Sequence, residues 1–112
     1  MIYHILNVNE WEESKSKKFY EPLSYAIEGF IHCSTLDKIE ESANKFFNGK
    51  SEVVILCIDE ERVKAEIVYE DLYNTGFEFP HIYGQLNLDS VIEVVIIKSE
   101  KNGEFKTSEL LN

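Results

Sequence analysis

The run Val53-Val-Ile-Leu-Cys-Ile58 decides the fold class. It is continuously apolar and mostly β-branched, the pattern of a strand covered on both faces. Such a strand lies in the middle of a sheet, so its neighbours must supply the layers on either side. Upstream, Leu36, Ile39, Ala43, Phe46 and Phe47 recur at helical spacing on one face. Ser34 or Thr35 is placed to cap that helix, and Asn48-Gly49 ends it. Earlier still, Ile2 to Val8 is predicted as a strand, with Ile2, His4 and Leu6 on one face and Tyr3 and Ile5 on the other. Asn7 or Asn9 can cap a following helix that carries Glu10, Glu12 and Glu13 in its first turn, runs to about Lys18 and buries Trp11. Pro22 marks a loop, Gly29 breaks the next segment, and Phe30 to Ser34 is a short strand.

Downstream of the central run, Asp59 to Val63 is expected to form a helical turn and Glu66 to Glu70 a strand. Asp71 to Pro80 is a loop too long for a tight turn, which points to a functional role. Val91 to Lys98 is predicted as a second buried strand, and Asn102-Gly103 as a hairpin turn returning through Glu104 to Lys106. The sum is about six short strands and two helices, both helices in the first half. Strands and helices segregate rather than alternate, so the class is α+β with a mostly antiparallel sheet, one domain over residues 1–112.

Composition narrows the partners. The chain is 44% hydrophobic and 12% aromatic, enough for one core and too much for a disordered segment. Its net charge is −10, its only arginine is Arg62, and its lysines are scattered among carboxylates. Nucleic acid is bound through clustered cations that neutralise phosphates, and anionic membranes attract the same clusters, so neither is an expected partner. No apolar run approaches the roughly 20 residues needed to span a bilayer. Met1 to Val8 has no basic region ahead of an apolar stretch and reads as a strand rather than a signal peptide. Cys33 and Cys57 stand alone without metal-ligand spacing, which suits a reducing cytoplasm and no disulfide.

Two segments carry the chemistry: Glu28-Gly-Phe-Ile-His-Cys-Ser34 and Phe79-Pro-His-Ile-Tyr-Gly84. Each sets a histidine among small or aromatic residues where an element meets a loop. His32 precedes a predicted helix N-terminus, where amide groups favour anions, and Ser34 can donate a hydroxyl there or act as a cap. His32 reads equally as a half-buried strand residue bonded to backbone. Cys33 points away from His32 in a regular strand and is more simply core than nucleophile. His81 and Tyr83 share a face if the stretch is extended, so Tyr83 can stack a flat ligand; the same segment can also simply plug one end of the sheet. His4 is the third histidine, and Glu70, closing a strand, is the candidate acid or base. A zinc site is not expected, because the three histidines lack the short spacing of a metal motif.

The opening Ile2-Tyr-His4, then Trp11, Tyr20 and Ser24, and the two histidine segments together resemble the domain of unknown function 952 family, over Ile2 to about Val95. The resemblance implies kinship with the ADP-ribosyltransferase-like superfamily, whose small split-sheet domains cradle NAD. By position it implies that His4 contacts a ribose hydroxyl and that Tyr83 or Tyr20 stacks the base. No residue matches the superfamily's acidic position by motif, and Glu70 is the candidate for it. The superfamily's RNA-directed members hold phosphates with several arginines, which this chain lacks. The implied enzyme holds NAD, as substrate, or another nucleotide in the cleft through His4, His32 and Ser34, with His81 or Glu70 as base. A non-catalytic small-ligand module and a protein-interaction scaffold are the competing readings. Oligomeric state is not legible.

Overall fold

Strand β4 (Glu52–Ile58) pairs on one side with β1 (Ile2–Leu6) and on the other with β8 (Val91–Lys98), all antiparallel. The structure, a computed structural model, describes residues 1–111. β4 is buried on both faces, as its composition requires. Val54, Leu56 and Ile58 pack with Ile2, Leu6 and Ile82 in one core cluster, while Val53, Ile55 and Cys57 pack with Ile39, Ala43 and Phe105 in a second. Cys33 belongs to the first cluster and Cys57 to the second, and both thiols are free.

A second antiparallel sheet takes the order β3 (Ile31–His32), β6 (Phe79–Tyr83), β5 (Glu66–Glu70), and a two-stranded ribbon pairs β2 (Phe19–Tyr20) with β7 (Leu86–Asn87). The described residues therefore form eight strands rather than about six; the two-residue strands are too short to show a period. The two larger sheets touch through one bridge, in which the Tyr3 amide donates to the Ser34 carbonyl at 2.9 Å and the Ser34 amide donates to Tyr3 at 2.7 Å. Beyond that bridge the strands separate.

Several further expectations are corrected. β8 is an edge strand rather than a buried one, and Ile92, Val94 and Ile96, which share one of its faces, are 49%, 39% and 51% exposed. An apolar run reports affinity for a sheet, not a place within it. The described residues form three α-helices instead of two, all in the first half: α1 (Val8–Ser14), α2 (Tyr25–Glu28) and α3 (Ile39–Phe46). α1 stops short of Lys18 and leaves Trp11 only partly buried, and α2 is a single turn closed by Gly29 at φ 82°, a left-handed geometry that suits glycine. Ser34 and Thr35 do not cap α3; Ser34 is held in the inter-sheet bridge, and its hydroxyl shares a 2.9 Å hydrogen bond with that of Ser42.

A last correction concerns the chain after Asn102-Gly103, which turns but forms no strand over 104–106. Asn44 of α3 captures this segment: its Oδ1 accepts from the Phe105 amide at 2.7 Å and its Nδ2 donates to the Phe105 carbonyl at 3.1 Å. A side-chain amide thus takes the place of a neighbouring strand, and the Phe105 ring is fully buried beneath it. Replacing Asn44 by Ala leaves both backbone groups without their partner, and we expect a loss of about 2 kcal/mol of stability. Urea unfolding measures it; an unchanged midpoint would show that the segment needs no such anchor.

Candidate functional site

The site begins where β1 and β3 part. His4 is the first β1 residue past the bridge, and its imidazole reaches across the opening. Nδ1 lies 2.7 Å from the His32 carbonyl oxygen and Nε2 lies 3.0 Å from the Tyr20 hydroxyl. A carbonyl only accepts, so Nδ1 carries the proton of His4 and Nε2 receives the phenol's. Burial supports this arrangement from both sides: it lowers the His4 pKa to about 4 and pushes the Tyr20 phenol upward. Both ring nitrogens of His4 are therefore committed within the chain.

His32 and His81 are direct cross-strand partners on β3 and β6, and cross-strand neighbours bring side chains together on one face. His32 Nδ1 lies 3.1 Å from His81 Nε2. His81 is fully buried, with the Phe30 ring stacked on it at 4.1 Å between centroids. Beyond it, Glu70 Oε2 stands 3.5 Å from His81 Nδ1, and the Tyr83 hydroxyl donates to both Glu70 oxygens at 2.8 and 2.6 Å. That contact raises the Tyr83 phenol to about 12. Burial first, then the neighbouring His81, His4 and Lys45, lowers His32 to about 4; burial also lowers His81, against the raising influence of Glu70 and Glu28.

The opening between the sheets is a cleft of about 620 Å³. His4, His32 and Ser34 line its floor, and its walls are largely aromatic: Phe46 from α3, Phe79 from β6, and Tyr73 and Phe77 from the loop over residues 71–78. The rings of Phe46, Tyr73 and Phe79 stand 6.0, 6.3 and 5.3 Å from that of His32. The loop is fastened over the cleft by the Tyr73 hydroxyl, which donates to Glu28 at 2.8 Å, and by the Lys38 ammonium, 3.4 Å from the Phe77 ring centre. A second lobe of about 830 Å³ adjoins the first, shares His4, Ile5, Ser24 and Phe47 with it, and is lined by more polar groups including Lys17 and Lys50.

The candidates of the sequence are thus brought together, in unequal positions. His32, His4 and Ser34 face the cleft. His81 and Glu70 lie behind His32 and line neither lobe, so of the bases the sequence singled out, His32 is the one that reaches a ligand, beside the carboxylates of Glu28 and Glu41 in the same lobe. Tyr20 is 1% exposed and has no free ring face for stacking; it serves His4 through its hydroxyl. Tyr83 also lines neither lobe and serves Glu70. The rings that can stack a ligand are Phe46, Tyr73, Phe77 and Phe79, which the sequence reading assigned to core or loop. One signal was available: Phe46-Phe47 are adjacent, and a helix that buries one face cannot bury both. Phe46 is 58% exposed.

Among the described residues, no group of His, Cys, Asp and Glu side chains comes together in a way that could hold a metal ion, and none of the helices is long and apolar enough to cross a membrane.

Residues 5–94 match the family model described as protein of unknown function (DUF952), and the chain belongs to that family. The crystal structure of protein CC0527 from Caulobacter crescentus is similar at 28% identity and a TM-score of 0.87, covering 98% of this chain and 96% of that one. A methionine double mutant of the same protein matches equally well, and its solution NMR structure matches at 27% identity and a TM-score of 0.75, over 97% and 94% of the two chains. No curated protein matches significantly.

The depressed histidine pKa values set a pH dependence. His4 and His32 bind protons with a pKa of about 4 when folded against 6.5 in an open chain, so the unfolded state takes up more protons between those values. Their contribution is complete above about pH 6.5 and is lost as the pH falls toward 4, at most about 3 kcal/mol for each. We expect the melting temperature to fall between about pH 6.5 and 5, a range in which most carboxylates stay ionised. A melting temperature that is flat across this range would contradict the assignment of neutral, buried imidazoles.

Proposed function

We propose that this chain is an NAD- or nucleotide-binding enzyme of the ADP-ribosyltransferase-like type, with the aromatic-walled cleft as its substrate site. The observation that carries the reading is the convergence of residues far apart in sequence, His4, His32 and His81, at the point where two sheets separate. A planar base fits between rings such as Phe46 and Phe79, since aromatic faces stack flat ligands with little demand on their hydrogen-bonding pattern. Lys45 lines the main lobe beside Glu28 and Glu41, and Lys17 and Lys50 line the second beside Glu10, Glu13, Glu21 and Glu52. A ligand's linked anionic groups thus have a cation to meet in each lobe, without a net positive field around them. The Ser34 hydroxyl, paired with that of Ser42, and the His32 imidazole both line the main lobe, where this reading seats the ribose. His4 acts indirectly in this scheme: both its nitrogens are engaged, and it shapes the floor rather than binding a hydroxyl.

A second reading, a module that binds the same ligand without turnover, draws on one feature: Glu70, the candidate acid, does not line the cleft. The two separate in one experiment. NAD, ADP-ribose and nicotinamide are titrated into the protein while histidine NMR signals and melting temperature are followed, and the nucleotide is then assayed for breakdown. The enzyme reading expects NAD to shift the His32 signal, to raise the melting temperature, and to be consumed more slowly by at least tenfold in Phe46→Ala. Binding with intact recovery of NAD, also in the presence of cell extract as a source of acceptors, supports the module. If none of the three compounds perturbs His32, both readings fail.

A further inference from the structure

We propose that Glu70, acting through His81, is a positioning residue that fixes His32 as the base of the cleft, with a bare Nε2 available to a ligand proton. This rests on the substrate-site reading above and adds to it the origin of the base. The hydrogen-bond directions follow from the partners at the outer, partly exposed end of the row. A carboxylate only accepts, and Tyr83 holds the Glu70 carboxylate by donating to both its oxygens at 2.8 and 2.6 Å. His81 Nδ1 makes no hydrogen bond, but it stands 3.5 Å from that carboxylate and carries its proton for electrostatic reasons, since a lone pair facing the same charge would be repelled. With Nδ1 protonated, neutral His81 presents a lone pair at Nε2, and His32 Nδ1, 3.1 Å away, must donate to it. The remaining nitrogen of His32, Nε2, is then the one without a proton. It is buried and has no hydrogen-bond partner among the described residues.

An unpartnered buried acceptor costs folding energy, and such groups are retained where they have work to do. Here the cost falls on the nitrogen of a residue that lines the ligand cleft, at the far end of the ring from its fixed neighbour. The groups around His32 are consistent with an uncharged resting state: His81 and Phe79 on β6, His4 on β1, Phe46 and Lys45 on α3, and Tyr73 on the overlying loop. In the reaction step, His32 Nε2 takes one proton from an acceptor O–H (water or a second substrate), and the oxygen keeps the electron pair. That oxygen forms a bond to the anomeric carbon of the nicotinamide ribose, the C–N bond to nicotinamide breaks, and neutral nicotinamide leaves with that bond's electron pair. The imidazolium charge is shared along the row toward Glu70. That proton returns to solvent when product leaves. Glu70 does not itself take up the proton; it orients the two rings and balances the charge that forms, as a buried carboxylate does behind a catalytic histidine.

The test reads tautomers directly. In the ligand-free protein at neutral pH, histidine nitrogen NMR is expected to show His32 and His81 protonated on Nδ1 and bare on Nε2. In Glu70→Gln, Tyr83 keeps hold of the amide oxygen, the amide NH2 turns to His81, and both imidazoles should invert to carry their protons on Nε2. His4, whose proton is held by the His32 carbonyl, should not change, which shows that the fold is intact. NAD turnover should drop by about 100-fold, within the range for loss of a general base, with little change in NAD affinity. A wild-type His32 protonated on Nε2 overturns the proposal whether or not the variant folds, and so does a folded Glu70→Gln chain with unchanged tautomers. The expected tautomers in a protein that ignores NAD would uphold the positioning role and reject the substrate reading instead.

Discussion

The His4 imidazole sits at the seam on which the rest of the structure depends. Two sheets share a single bridge, and just past it the backbone carbonyl of His32 has no strand opposite to satisfy it. A buried carbonyl in that state is costly. His4 supplies the missing donor from its side chain, and Tyr20 in turn satisfies its other nitrogen. The sheets can therefore diverge without leaving an orphaned group. Had the ladder continued, His32 and His4 would lie within a closed sheet and there would be no cleft floor.

The same constraint explains why three histidines can occupy so apolar a region. Each is neutral because burial disfavours its charged form, and each neutral ring offers one donor and one acceptor. Those directions link into rows: Tyr20 to His4 to the His32 carbonyl, and His32 to His81 toward Glu70 and Tyr83. Among the described residues, His32 Nε2 and His81 Nδ1 are the buried side-chain nitrogens left without a hydrogen-bond partner, and of these two residues only His32 lines the cleft. The aromatic walls add to this by keeping the surroundings poor in water, which strengthens any electrostatic interaction made there.

Legibility followed the range of the forces involved. β4 was readable because a run apolar at every position has only one comfortable place, between two covered layers. α3 was readable from its period, although Phe46 was assigned to the core because periodicity does not say which of two adjacent aromatics faces inward. β8 carries nearly the same composition as β4 and lies at an edge, because sheet order depends on which strands remain to pair. The Asn102-Gly103 turn formed, but its return strand did not, since Asn44 offered the backbone a partner before any strand could.

What the sequence determined by itself is the α+β class, the helices in the first half, the doubly buried central strand and the singling out of His4, His32 and His81. These rest on local pattern and on the rarity of their residue types. What only the tertiary structure decided is the division of labour among them: His32 toward the cleft, His81 and Glu70 behind it, His4 and Tyr20 closing the seam, and phenylalanines and Tyr73 as walls. That division depends on the pairing of β3 with β6 and on the parting of β1 from β3. Strand pairing joins residues 49 positions apart, as for His32 and His81, and no local pattern records which strand will be the neighbour.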